Sequence, residues 1–217
     1  MKNYLIKVKQ NWLEALHNKA FRIDLVVGLG VLCLLCVFNY YFFYYIEHLS
    51  SGIVLNDWVL ARLPAKDVSI PIVCFEGSVF VLLFIRSSIK PVIFITFLIG
   101  SLFIFITRDL TIGISQLRAP VGIIELKDPI GSIVYRSGFI TRDLFYSGHV
   151  SFIFLVYLCM YDRMDKYYIL FAVFFLAFLL LIQHVHYFTD VIAAPFFSFL
   201  CFWSAKKILN LQGIKEP

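Results

Sequence analysis

Long apolar runs separated by short polar breaks occupy most of this chain. They lie near residues 24–45, 68–86, 91–108, 148–162, 167–184 and 186–205. Spans of roughly 18–22 residues are what an α-helix needs to cross a hydrocarbon core. The fourth run is short by hydropathy and is expected to start inside the polar loop before it. The sixth contains Pro195, which a membrane helix tolerates when neighbours satisfy the freed carbonyl. The pattern predicts an all-α membrane protein, a bundle of six transmembrane helices.

Residues 4–20 are patterned differently. Leu5, Val8, Trp12, Leu13 and Leu16 recur at helical spacing, with lysines on the other face. That predicts an amphipathic helix lying on a membrane surface, with Trp12 at head-group level. A basic extension serving only topology fits the same residues. The chain is thus expected to comprise a basic amphipathic helix over 1–22 and a six-span domain over 23–217.

Composition reinforces the membrane reading. Hydrophobic residues make up 61% of the 217 and charged residues 15%, against about 25% charged in ordinary soluble domains. No soluble core could hide so much apolar surface. The five cysteines, Cys33, Cys36, Cys74, Cys159 and Cys201, all fall in apolar runs. An odd number so placed argues against a disulfide framework and against a zinc site. Cys33-x-x-Cys36 has a redox spacing, but within an apolar helix it reads as packing. Residues 1–22 are polar and basic, the run after them is too long for a signal peptide, and no small-residue cleavage site follows.

Charge sets the expected orientation. With six spans, the side carrying both termini and the 86–90 and 162–166 turns holds twelve of the nineteen Lys and Arg. The positive-inside rule puts that side in the cytoplasm, so the chain is expected to be N-in/C-in.

Two short motifs carry the candidate chemistry. Asp143-Leu-Phe-Tyr-Ser-Gly-His149 leads into the fourth span, and His184-Val-His186-Tyr-Phe-Thr-Asp190 into the sixth. Both span ends fall on the non-cytoplasmic face. His186 and Asp190 are four apart and would share one face of a helix. A carboxylate there can hold one ring nitrogen and leave the other as a nucleophile. Ser147 and Gly148 stand where a helix N-terminus favours an anion and a phosphate could approach the backbone. His149 would then act as general acid. His184 would point about 200° away from His186 around a helix and is left as a neighbour. His17 and His48 read as interfacial polar residues.

Glu76 sits within the second span, where a carboxylate is costly unless it is paired or lines a polar cavity. It is a candidate partner for His149, and Asp143 competes for that role. A helix-bonding, protonated Glu76 is the bland alternative. Arg108, at the expected end of the third span, is the best candidate phosphate ligand, because an Arg fork donates two parallel hydrogen bonds. Arg118, Arg136 and Arg142 lie in the long loop, and Arg142 joins Ser147, Gly148 and Tyr187 as a candidate substrate contact.

These motifs resemble those of the sphingomyelin synthase family, a branch of the type 2 phosphatidic acid phosphatase superfamily. The family carries Asp-x-x-x-Ser-Gly-His and His-x-His-Tyr-x-x-Asp-Val, as Asp143–His149 and His184–Val191 do here, with Val150 where the family has Thr. Arg108-Asp-Leu-Thr111 resembles its Arg-x-x-Thr, Cys74-Phe-Glu76 its Cys-Glu with one residue inserted, and Leu63-Pro64-Ala-Lys-Asp67 echoes its Pro-Leu-Pro-Asp. The similarity covers roughly 60–205 and is strongest in the last third.

The resemblance implies transfer of phosphocholine or phosphoethanolamine from a glycerophospholipid to a lipid alcohol such as ceramide or diacylglycerol. His186, oriented by Asp190, would form a phosphohistidine, with His149 as acid and then base. No metal or cofactor is implied, and no nucleic-acid partner. The superfamily's phosphatases carry Ser-Arg six residues before the nucleophile, where this chain has Leu180, and a Lys-x6-Arg-Pro motif that is absent here. A lipid phosphate phosphatase or phospholipase C-like hydrolase remains the alternative, ahead of a non-catalytic lipid sensor or a transporter.

Overall fold

In the computed structural model, which describes residues 2–127 and 140–211, every regular element is helical apart from an isolated bridge between Ile53 and Leu117. The first break is a single residue. Helix α1 (Lys2–His17) ends at Asn18, whose side chain accepts from the N–H groups of Ala20 and Phe21 and so starts α2 (Lys19–Glu47). Helix α3 (Ser69–Ile89) begins beside Asp67, and α4 (Pro91–Ser115) at a first-turn proline. Ser147 caps α5 (Gly148–Cys159), and Asp162 caps α6 (Arg163–Ile182). At the start of α7 (Phe188–Leu211), the N–H of Phe188 donates to the distant Asp57 at 2.6 Å.

Five of these helices, α2, α3, α4, α6 and α7, are long and apolar enough to cross a membrane. Helix α5 is apolar but has 12 residues, roughly 18 Å of rise against a hydrocarbon core of roughly 30 Å. The expected fourth span of 148–162 stops early because Met160 turns extended. The third expected span is longer than foreseen. Helix α4 continues to Ser115, so Arg108 lies inside the helix rather than at its end.

Helix α4 forms the centre, packing against α2, α3, α5 and α7, while α5 packs against α3, α4, α6 and α7. The main core joins α3 to α7 through residues such as Ile72, Ile104, Ile153 and Leu180. A smaller core ties α1 and α2 to α4 through Phe21, Ile95 and Leu98. Helix α2 buries only 17% of its most apolar window, leaving Val26 and Leu34 each 70% exposed. Such a surface suits lipid rather than water.

Helix α1 docks on one end of the bundle. The Trp12 indole donates to the Ser88 carbonyl at 3.1 Å and the Asn11 amide to that of Ile89 at 2.6 Å. Connecting segments interlock at the opposite end. Ile53 and Arg118 exchange backbone bonds with Gln116 and Ile53, and Tyr187 donates to the Arg118 carbonyl at 2.8 Å. The two motifs meet beneath this cap.

Candidate functional site

The Ser147 N–H donates to the Asp190 carbonyl at 3.1 Å, tying one motif directly to the other. Ser147 itself is fully buried, and its hydroxyl accepts from the Val150 N–H as the cap of α5. His149 follows in the first turn. Its ring lies 6.0 Å from that of His186, centroid to centroid, at 66°. The starts of two helices thus bring two imidazoles together.

Each imidazole faces a carboxylate. His149 Nε2 lies 3.9 Å from Glu76 Oε2, reaching across from α3. His186 Nδ1 lies 3.5 Å from Asp190 Oδ2. Both distances exceed an ordinary hydrogen bond, and the buried His186 Nδ1 has no hydrogen-bond partner. His186 does not stand on a helix with Asp190, as the spacing suggested. It occupies the turn before α7, and Asp190, in the first turn, reaches back to the Tyr187 N–H at 3.1 Å. That is half of a capping box, and it fixes the buried carboxylate where His186 meets it.

Asp143 pairs with Arg108 rather than with His149. The Arg108 Nε also donates to the Tyr146 carbonyl at 3.1 Å, and the side chain is buried. Gly148 makes this possible. A Cβ there would lie 2.6 Å from Arg108 Nη1 and 2.7 Å from Cζ, so only glycine lets the guanidinium lie against the first turn of α5. The space assigned to a phosphate beside Gly148 holds Arg108 instead. Thr111 donates to the Phe145 carbonyl at 2.8 Å, and Thr107 bonds the Tyr146 hydroxyl at 2.7 Å. Burial raises the pKa of that phenol and keeps it protonated.

A cavity of about 420 Å³ opens from this cluster between α2, α3, α4 and α5. Glu76, Arg108, Asp143, Gly148 and His149 line its polar end, with Asn39 of α2. His186 is not on its wall. Asn39 was missed by sequence reasoning. Its amide donates to Asp109 at 3.2 Å and to the Leu35 carbonyl at 2.9 Å. A lone amide in an apolar run, Val-Phe-Asn39-Tyr, was the available signal.

Other candidates lie elsewhere. Arg142 is buried with its guanidinium on the carbonyls of Ser51 and Leu49, at 2.6 and 2.7 Å. Tyr187 is buried, its hydroxyl between the Leu55 N–H and the Arg118 carbonyl. Arg118 donates to the Ser50 carbonyl. All three brace the cap and do not face the cavity. His184 is not helical. It has φ 56 and directs its two ring nitrogens at the carbonyls of Val121 and Leu63, 2.9 and 3.0 Å away. Arg136 lies outside the described residues. Among the described residues no group of three or more His, Cys, Asp and Glu could hold a metal ion.

The arrangement brings together two imidazoles, each near a carboxylate, and sets one of them, His149, with the Asp143-paired Arg108 at the polar end of an apolar cavity. No family model, curated protein or solved structure matches the chain.

Proposed function

We propose that this protein is an integral-membrane phospholipid head-group transferase of the sphingomyelin synthase type, working through a phosphohistidine on His186. The observation that carries the reading is the meeting of His149 and His186, 6.0 Å apart by ring centroid and each faced by a carboxylate, beside a lipid-sized cavity.

The reaction runs in two displacements. With its Nδ1 proton directed at Asp190, His186 attacks the donor phosphorus through Nε2. The bond from phosphorus to the diacylglycerol oxygen breaks, and His149 delivers a proton to that oxygen. In the second half His149 takes the proton from an acceptor hydroxyl, which attacks phosphorus and breaks the P–N bond. Microscopic reversibility requires the same group to serve as acid and then base. Glu76 orients and supports His149. Arg108, held by Asp143, offsets negative charge on the transferring group. Because His149 lines the cavity and His186 does not, the donor phosphate must move past the cavity wall to reach the nucleophile.

In this reading α5 completes a six-span bundle with both termini cytoplasmic, and the site faces the non-cytoplasmic side. Phosphocholine or phosphoethanolamine is the transferred group, and ceramide or diacylglycerol the type of acceptor.

The test uses protein in liposomes with head-group-labelled phosphatidylcholine or phosphatidylethanolamine and ceramide, with His186→Ala alongside. Label on ceramide that vanishes in the variant is the expected result. Label released only as a soluble phosphoalcohol would assign a phospholipase C-like hydrolase. Turnover of phosphatidic acid alone would assign a lipid phosphatase.

A further inference from the structure

Below its polar end the cavity has almost nothing to offer but hydrocarbon. Among the described residues, apart from Cys36, its one polar wall residue there is Ser101, whose hydroxyl donates to the Phe97 carbonyl within its own helix at 2.7 Å. The wall runs along α4 from Arg108 to Phe94 and along α2 from Asn39 to Leu29. At 1.5 Å per residue these stretches are roughly 21 and 15 Å long. Half a hydrocarbon core is about 15 Å. The depth is that of one lipid tail whose head sits at His149. Helices α2 and α3 each pack on α4 but not as a pair with one another, which leaves a side on which a second tail can remain in the bilayer.

The cavity has a floor. Helices α2 and α4 close together at Gly28, where a Cβ would lie 2.9 Å from Leu98 Cδ2 and 3.4 Å from Ile99 Cδ1. Phe94 lines the lowest turn of α4, and the Trp12 ring of α1 packs against it at 5.9 Å. Trp12 is itself fixed by its bond to the Ser88 carbonyl and by an edge contact with Phe21 at 6.2 Å. The N-terminal helix therefore braces the bottom of the cavity from outside.

We propose that this cavity holds one tail of a membrane lipid and that Phe94, braced by Trp12, sets the tail length it accepts. The proposal rests on the head-group-transfer reading only for the choice of head group. A tail drawn from a bilayer gains little from leaving water, because it is already among hydrocarbon. Discrimination must come from fit: a short tail leaves a void and a long one overpacks the floor. The cavity then has an optimum tail length rather than an affinity that climbs without limit.

The experiment measures binding without turnover, in His186→Ala protein reconstituted in nanodiscs. A phosphatidylcholine carrying a diazirine near the end of one tail is photolysed, and phosphatidylcholines of stepped tail length compete with it. Label should concentrate on the α4 segment around Phe94 and Leu98, and competition should peak at one tail length. Tails beyond the optimum should compete about tenfold less well, the size of a modest overpacking penalty. Phe94→Ala and Trp12→Ala should move the optimum to longer tails, and Leu29→Trp to shorter ones. Trp12 is only partly buried, at the edge of the smaller core, so its variant tests the floor even if Phe94→Ala fails to fold. Label spread over the lipid-facing surfaces of α6 and α7, or an optimum that none of the folded variants moves, would overturn the proposal. Failure of the transferase assay would leave this result standing, and the reverse holds as well.

Discussion

Gly148 is where the backbone of α5 meets the Arg108 guanidinium most closely. Its missing Cβ would meet the Arg108 guanidinium at 2.6 Å, and that guanidinium is held by Asp143 and the Tyr146 carbonyl. Gly148→Ala must push the guanidinium out or bend α5. Overpacking of this kind costs about 1–3 kcal/mol, so thermal unfolding in detergent should show a clear drop in Tm. On the proposed mechanism, head-group transfer should fall further than stability, since Arg108 would lose its place beside the transferring group. An unchanged Tm and rate would mean that the Arg108 contact carries no weight. Sequence spacing was enough to bring His149, His186 and Asp190 to one end of the bundle, because two motifs at two span mouths had to meet, and the structure sets the two rings 6.0 Å apart. It could not show where Arg142 and Tyr187 point: their polar ends bond backbone carbonyls and an N–H in the cap. An arginine near a site and an arginine bracing a loop look alike until their partners are known.

At the scale of elements, short polar side chains just ahead of the helices mark where most of them begin. Asp67 illustrates this for α3. Its carboxylate accepts from the Ser69 hydroxyl and N–H at 2.7 and 3.0 Å and meets Lys127 at 3.0 Å. The Ser69 hydroxyl, then its N–H, then Lys127 hold the carboxyl down at about 2, below the ordinary 3.8. The stabilisation is full above 3.8 and is lost as pH falls from there through about 2. A Tm profile over that acid window should be steeper for the native protein than for Asp67→Asn, and matching slopes would remove Asp67 from the account. The long helices were legible because run length alone dictates them. The last two turns of α4 were not, since Arg108 and Asp109 read as a boundary. Both charges are buried and compensated, one by Asp143 and the other by Asn39. The shortness of α5 was legible in its hydropathy, but its bounds were not: it starts at Gly148 rather than inside the preceding loop, and it ends where the backbone turns extended at Met160 within apolar sequence.

For the molecule as a whole, the two ends of the bundle divide the work. One end gathers the imidazoles, carboxylates and Arg108 under interlocked loops, and at the other Trp12 of α1 packs against Phe94 on the wall of the apolar cavity. That polarity is what a lipid head-group enzyme needs, with chemistry at the interface and tails along the helices. The central claim is the covalent intermediate on His186. The most direct measurement incubates the protein with head-group-labelled phosphatidylcholine without acceptor, quenches in alkali, which preserves a phosphoramidate, and maps the adduct by peptide mass spectrometry. The account predicts a phosphocholine adduct on His186 that is absent in His186→Ala and discharged when ceramide is added. Turnover with no adduct, or an adduct on His149 that survives His186→Ala, would contradict it.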